Sequence, residues 1–221
     1  MILHGYERPV DIPEGIELFD AEQIMPKSEI VAHRSSGSLA LASDIYRYRI
    51  LRSGLGIYAD CDIYCVRPFP DDDFLFGWES DTFINGAVLA IPSNHPALDD
   101  LVAFSSDRNF IPWWYRERKK RWLRLRKAAG FPVPTSRQRW GTIGPHLITH
   151  VVAKHGLTNH AMPSDVFYPI NHNNTKLLFD KELTIDEIST RRTLGIHLSS
   201  SLLSGKHFTP GSILDAIVNS R

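Results

Sequence analysis

Cysteine is nearly missing from this chain: two among 221 residues, Cys61 and Cys65. On one extended strand, four positions apart, they lie roughly 13 Å from each other, too far for a disulfide. With no second cysteine pair or histidine cluster beside them, they form no zinc site either. Such scarcity fits a reducing cytoplasm, the expected location. No run of about 18 apolar residues occurs, so no bilayer-spanning helix is expected. The opening Met1-Ile2-Leu3-His4-Gly5 has neither the charged start nor the apolar run of a signal peptide. Net charge is also lacking: 25 basic and 25 acidic residues cancel. No global field therefore advertises nucleic acid or membrane as a partner. Repeats and low-complexity linkers are absent, and the length suits one domain, residues 1–221, with a real core.

What is present alternates between helical and extended patterns. The clearest helix spans residues 36–53: Ser36 or Ser38 can cap it, Leu39, Ala42, Ile45 and Leu51 supply an apolar stripe, and Gly54 ends it. Residues 57–66 read as one central strand, closed by Arg67-Pro68-Phe69-Pro70. Residues 83–91 read as a second buried strand, broken at Asn85-Gly86. Helices follow at 97–104 and 144–155, the latter with Pro145 in its first turn. Short strands are expected at 167–170 and 194–198, and a terminal helix after Pro210 with Ser212 as its cap. This alternation predicts a single α/β layer structure.

The most informative string is Gly54-Leu55-Gly56-Ile57-Tyr58-Ala59-Asp60-Cys61-Asp62. On a strand, Asp60 and Asp62 would project from one face, because side-chain direction alternates with period two. Unpaired buried carboxylates are very costly. The economical partner is a hard divalent cation, Mn²⁺ or Mg²⁺, and such a cation points to a phosphate-bearing substrate. Upstream, Asp44 and Arg47 stand three apart on the preceding helix and share a face.

Taken together, Ser43-Asp44-Ile45-Tyr46-Arg47-Tyr48-Arg49-Ile50-Leu51 and the Gly54–Asp62 string resemble the DXD glycosyltransferases of family 32 and bacterial capsular or lipopolysaccharide transferases. Asn85-Gly86-Ala87-Val88-Leu89-Ala90 with His95-Pro96, Trp140-Gly141-Thr142-Ile143-Gly144-Pro145, Phe167-Tyr168-Pro169 and His197-Leu198 extend the likeness across residues 40–200. The resemblance implies a GT-A-like fold, a central mixed sheet flanked by helices. It implies a retaining transfer of hexose from a UDP- or GDP-sugar to a cell-surface glycan or glycolipid, as in polysaccharide biosynthesis. Asp62 resembles the direct metal ligand, and Asp60 the carboxylate that touches the donor ribose, the metal or both. Asp44 and Arg47 resemble the pair that holds the donor sugar's hydroxyls, Arg47 adding charge or orientation in catalysis. Tyr58 resembles the aromatic beside the nucleotide, and Asn85 and Gly86 would line the sugar pocket. His197 is read either as a third metal ligand or as a core histidine. Similar enzymes open with a strand, a base-holding loop and a helix. Here only a handful of residues precede Tyr6, so that unit is expected to be missing or replaced by a shorter start.

Two rivals stay open: a non-catalytic nucleotide- or sugar-binding remnant, and a metal-dependent phosphohydrolase. The latter would place a hydroxyl residue and further acids after the Asp pair, where Ile63-Tyr64-Cys65 stands. Residues 111–130 form a basic aromatic insertion. As a helix it aligns Tyr115, Trp122, Leu125 and Ala129. Residues 113–127 then read as a peripheral contact with the inner face of an anionic membrane, as an acceptor clamp, or as a solvated helix with aromatics packed inward. Single-stranded nucleic acid is disfavoured by the balanced charge.

Overall fold

The structure, a computed structural model, describes residues 1–203, 205 and 209–219. In chain order its main elements are β1 (Ile2–Gly5), β2 (Glu17–Asp20), α1 (Ala40–Arg52), β3 (Tyr58–Ala59), β4 (Ile63–Cys65), β5 (Leu75–Ser80), β6 (Phe83–Ala90), α2 (Pro96–Ser106), α3 (Glu117–Ala128), α4 (Pro145–Lys154), α5 (Ile185–Ile188), β7 (Gly195–His197) and α6 (Ile213–Asn219). The class is mixed α/β as expected. Among the described residues the strands form three small sheets rather than one central mixed sheet: β1-β2, β3-β6-β5 and β4-β7. The chain divides into two compact units, one made of residues 1–55 and 93–147, the other of 56–92 and 148–221.

In the first unit β1 and β2 pair in parallel. They are tied to α1 by His4 Nδ1 and the Tyr46 hydroxyl, 2.8 Å apart. Helix α1 starts four residues later than its sequence suggests, because Ser38 Oγ accepts from the Ala40 N–H at 3.1 Å and Leu39 is left in water. It ends where expected: Gly54 takes φ +70°, and its N–H and that of Leu55 bond back to the Leu51 and Ile50 carbonyls. That left-handed step is cheap only for glycine. Tyr48, Ile50 and Leu51 are buried, and α1 packs on α2, with Arg52 and Asp99 bridging the two at 3.0 Å. Helix α2 is capped by His95, whose Nδ1 accepts from the Ala97 N–H at 3.1 Å. The expected stripe of α3 is corrected: Leu123 is its buried residue, while Trp122 and Leu125 are exposed.

In the second unit the expected strand 57–66 is two strands in two sheets. Tyr58 and Ala59 pair antiparallel with Leu89 and Val88 of β6, whereas Ile63, Tyr64 and Cys65 pair with His197, Ile196 and Gly195 of β7. Between them the chain turns, with the Ile63 N–H on the Asp60 carbonyl at 3.1 Å. Aspartates favour such turns over strand interiors. Asn85-Gly86 does not break β6; the irregularity falls in its register with β5. Residues 167–170 are not a strand. Phe167 and Tyr168 follow a 3₁₀ turn and are buried with Leu75, Ala87, Val88 and Ala90, and the Phe167 carbonyl accepts from the His197 N–H at 3.0 Å. A second cluster gathers Ile170, Leu178, Ile213 and Leu214. There Ser212 Oγ accepts from the Asp215 N–H at the start of α6, the capping role expected of it.

Candidate active site

Asp60 and Asp62 converge with His197 at the turn between β3 and β4. The backbone fixes the turn: the Asp60 N–H donates to the Ala87 carbonyl at 2.7 Å, and the Leu198 N–H to the Asp62 carbonyl at 3.0 Å. His197 arrives through its register opposite Ile63, its ring edge-on to Tyr168 at 5.8 Å between centroids. The Tyr58 hydroxyl donates to Asp60 Oδ1 at 2.5 Å. Asp62 Oδ1 lies 3.3 Å from His197 Nε2, and Asp62 Oδ2 accepts from the Ser200 N–H at 2.7 Å. One ligand atom from each of Asp60, Asp62 and His197 lies within 4.8 Å of the others, and all three residues are half-buried. Thus the carboxylates meet at a turn rather than along one strand face.

The electrostatics agree with a site built for positive charge. Burial alone would raise the Asp62 carboxyl, but His197 and the Ser200 N–H outweigh it and hold it well below the usual carboxylate range. Burial, followed by the charges of Asp60 and Asp62, pushes the Cys61 thiol up. Two carboxylate oxygens and one imidazole nitrogen form a donor set that could hold a divalent cation. Cys61 and Cys65 are both free thiols.

In the same unit Gly86 is buried within β6 and Asn85 is half-buried. The Asn85 side chain is engaged at both ends: its Nδ2 donates to Glu79 Oε2 at 2.9 Å, and its Oδ1 accepts from the Ala87 N–H at 2.9 Å. Glu79, a buried carboxylate on β5, also meets His172 Nδ1 at 2.7 Å. Sequence reasoning missed this triad. The signal available was an acid ending an apolar run, Leu75-Phe76-Gly77-Trp78-Glu79, six residues before Asn85. Residues 190–193, which lead into β7, are also held firmly. The Arg67 guanidinium donates to the carbonyls of Thr190, Arg191 and Thr193 at 2.7–3.2 Å. Asp165 accepts from Thr190 Oγ1 at 2.6 Å and from Arg192 at 3.1 and 3.0 Å.

Asp44 and Arg47 belong to the first unit. Both are buried on α1 and form an ion pair at 3.5 Å, and Arg47 also donates to Ser43 Oγ at 3.3 Å. The loop at 139–144 is pressed onto this helix. The Tyr48 hydroxyl donates to the Ile143 carbonyl at 2.8 Å, and a Cβ on Gly144 would collide with the Asp44 carboxylate. Only glycine leaves room for the carboxylate there. Thr142 Oγ1 pins the Arg139 carbonyl at 2.6 Å and meets the Tyr115 hydroxyl at 3.1 Å. Asp44, Arg139, Trp140 and His33 line a small cleft.

Residues 136–217 match the family model described as the alpha 1,4-glycosyltransferase conserved region. That stretch contains both the Gly144 loop and His197. The chain is similar to lactosylceramide 4-alpha-galactosyltransferase of Mus musculus, 26% identical over 220 aligned residues that cover 90% of this chain and 51% of the mouse protein. The same enzyme of Rattus norvegicus is 25% identical over 214 residues, with the same two shares. The chain therefore spans about half the length of the curated relatives it matches. No solved structure matches it. The likeness to glycosyltransferases read from the sequence is borne out.

Proposed function

We propose that this protein is a metal-dependent, retaining glycosyltransferase with a GT-A-like fold. It would move a hexose from a nucleotide-sugar donor, a UDP- or GDP-hexose, to a glycan or glycolipid. The observation that carries this reading is the convergence of Asp60, Asp62 and His197 on one point from turn and strand segments far apart in the chain. The relatives' name adds an α-linked galactose and a glycolipid acceptor, which favours a glycolipid here.

Asp60, Asp62 and His197 would hold the divalent ion, which when bound supplies Lewis-acid charge to the leaving diphosphate. Tyr58 orients Asp60 through its hydroxyl, and the Ser200 N–H keeps Asp62 ionised and aimed. For Asp44 and Arg47 the resemblance supplies the role, contact with the donor sugar's hydroxyls. In the transfer the bond from the anomeric carbon to the diphosphate oxygen breaks. The acceptor oxygen bonds to the same face, and its proton passes to the departing phosphate. An inverted product would overturn this front-face course.

The test is nucleotide release from a panel of nucleotide sugars with Mn²⁺, with and without EDTA, beside Asp62→Asn. Metal-dependent release from one donor, reduced by about a hundredfold or more in the variant, is the expected result. Absence of both turnover and nucleotide binding would leave the non-catalytic reading in its place.

A further inference from the structure

Helix α3 carries a cationic, partly apolar face that the transfer reading does not use. Leu123 anchors it to the protein at 2% exposure, whereas Trp122 is 50% and Leu125 71% exposed. Just past its end Phe131 is 69% exposed. Helical spacing aligns Arg118, Arg121, Trp122 and Leu125 at positions i, i+3, i+4 and i+7 on one outward stripe. Arg124 flanks it.

Six of the seven basic residues of this helix divide into two groups; the seventh, Arg126, lies 5.3 Å from the centre of the Trp122 ring and donates through its Nε to the Phe131 carbonyl at 3.1 Å. On the Leu123 side, Lys120 is bound to Glu117 at 2.5 Å and to the Trp113 carbonyl at 3.1 Å. Lys127 lies 3.7 Å from Asp107, and Lys119 sits 3.5 Å from the centre of the Tyr115 ring. Trp113 and Trp114 pack in an aromatic cluster with Phe104 and Phe110, Trp113 keeping 37% of its surface exposed. On the outer stripe Arg118 and Arg121 are exposed with Trp122 and Leu125, Arg124 is exposed at its flank, and the helix's single acid is already bound to Lys120.

Arginine beside exposed tryptophan and leucine asks for a partner with anionic groups above an apolar layer. A nucleic acid or polyanionic glycan would satisfy the arginines and could stack on Trp122, yet it would leave Leu125 and Phe131 in water. A lipid surface satisfies all of them, with tryptophan at the headgroup level. We propose that α3 docks this protein on an anionic lipid surface, with Trp122 and Leu125 at the headgroup–acyl boundary and Arg118, Arg121 and Arg124 on lipid phosphates. The proposal stands apart from the transferase reading, because its test involves no turnover.

The experiment is co-sedimentation of the full chain with phosphatidylcholine vesicles, with and without phosphatidylserine, at low and high salt. Binding is expected only to the anionic vesicles. The triple variant Arg118→Gln/Arg121→Gln/Arg124→Gln should weaken partitioning roughly a hundredfold. Trp122→Ala/Leu125→Ala should weaken it by a comparable factor, and brominated lipid should quench fluorescence in the wild type but less in Trp122→Phe. All these side chains are exposed, so unchanged melting curves will show that each variant is folded. Equal binding to neutral vesicles, or unchanged binding in the arginine variant, would overturn the proposal. So would full binding by the Trp122/Leu125 variant, which would mean adsorption by charge alone. Tighter binding to single-stranded oligonucleotide or heparin than to anionic vesicles would assign the face to a polyanion and overturn it as well.

Discussion

Asp62 and Asp44 are carboxylates of like intrinsic strength held in opposite ways. Asp44 is buried on a helix, with a guanidinium beside it and a glycine loop against it. Asp62 sits half-exposed on a turn, held by an imidazole and a backbone N–H. The first arrangement is internally neutralised, and its geometry comes from a regular element. The second concentrates negative charge with Asp60 around an approachable point, and its geometry comes from contacts distant in sequence. Structural burden is therefore expected to fall chiefly on Asp44 and cation binding on Asp62, and experiments can test that separation.

The largest contrast should come from Asp44→Ala. Removing one partner of a buried ion pair is expected to cost about 3–5 kcal/mol of stability, read by denaturant unfolding, whereas Asp62→Asn should cost far less. If the two variants unfold alike, the contrast fails. Next, Mn²⁺ at a hundred times its dissociation constant should stabilise the wild type and Asp44→Asn by about 2.7 kcal/mol. Asp62→Asn and His197→Ala should show no thermal shift; a retained shift would remove the ion from this cluster.

Gly144→Ala should destabilise by about 1–3 kcal/mol through overpacking against Asp44, and it should leave the Mn²⁺ shift intact. The smallest effect is expected at Asp165, which braces the segment before β7. Burial raises its carboxyl, but Thr190 and Arg192 more than offset this and leave it below its ordinary value. Its contribution is therefore full above the unfolded carboxyl range and is lost as pH falls through the lower folded value. Asp165→Asn should cost about 1–2 kcal/mol at neutral pH, and the gap to wild type should close in acid. A gap that persists in acid would mean that packing, not charge, does the bracing.

The legible parts of this molecule were those governed by local rules. The end of α1 at Gly54, the proline start of α4 and strand β6 follow from neighbours a few residues away. The Asp60–Asp62 pair was found, but for a reason the fold does not use. Period-two alternation put both on one face, whereas a turn brings them together, because Tyr58 and Ile63 answer to different partner strands. Glu79 was invisible because its partners, Asn85 and His172, are assembled by tertiary structure. In α3 the expected stripe of Tyr115, Trp122, Leu125 and Ala129 does not hold: Tyr115 precedes the helix, Ala129 is its C-cap, and Trp122 and Leu125 face water. Leu123, outside the stripe, faces the core.

The pairing of β4 with β7 joins residues at least 130 positions apart, and the adjoining bond from Ser200 to Asp62 has a separation of 138. Contacts so distant carry a large loop-closure cost and form late on the folding route. The Asp60–Asp62–His197 cluster should therefore be among the last features to mature, after the helical contacts of α1 with α2 are in place. On the proposed metal-dependent reading, ion affinity would then serve as a clock for the end of folding: a chain that has collapsed but not closed this pairing would hold its helices and still fail to retain the ion.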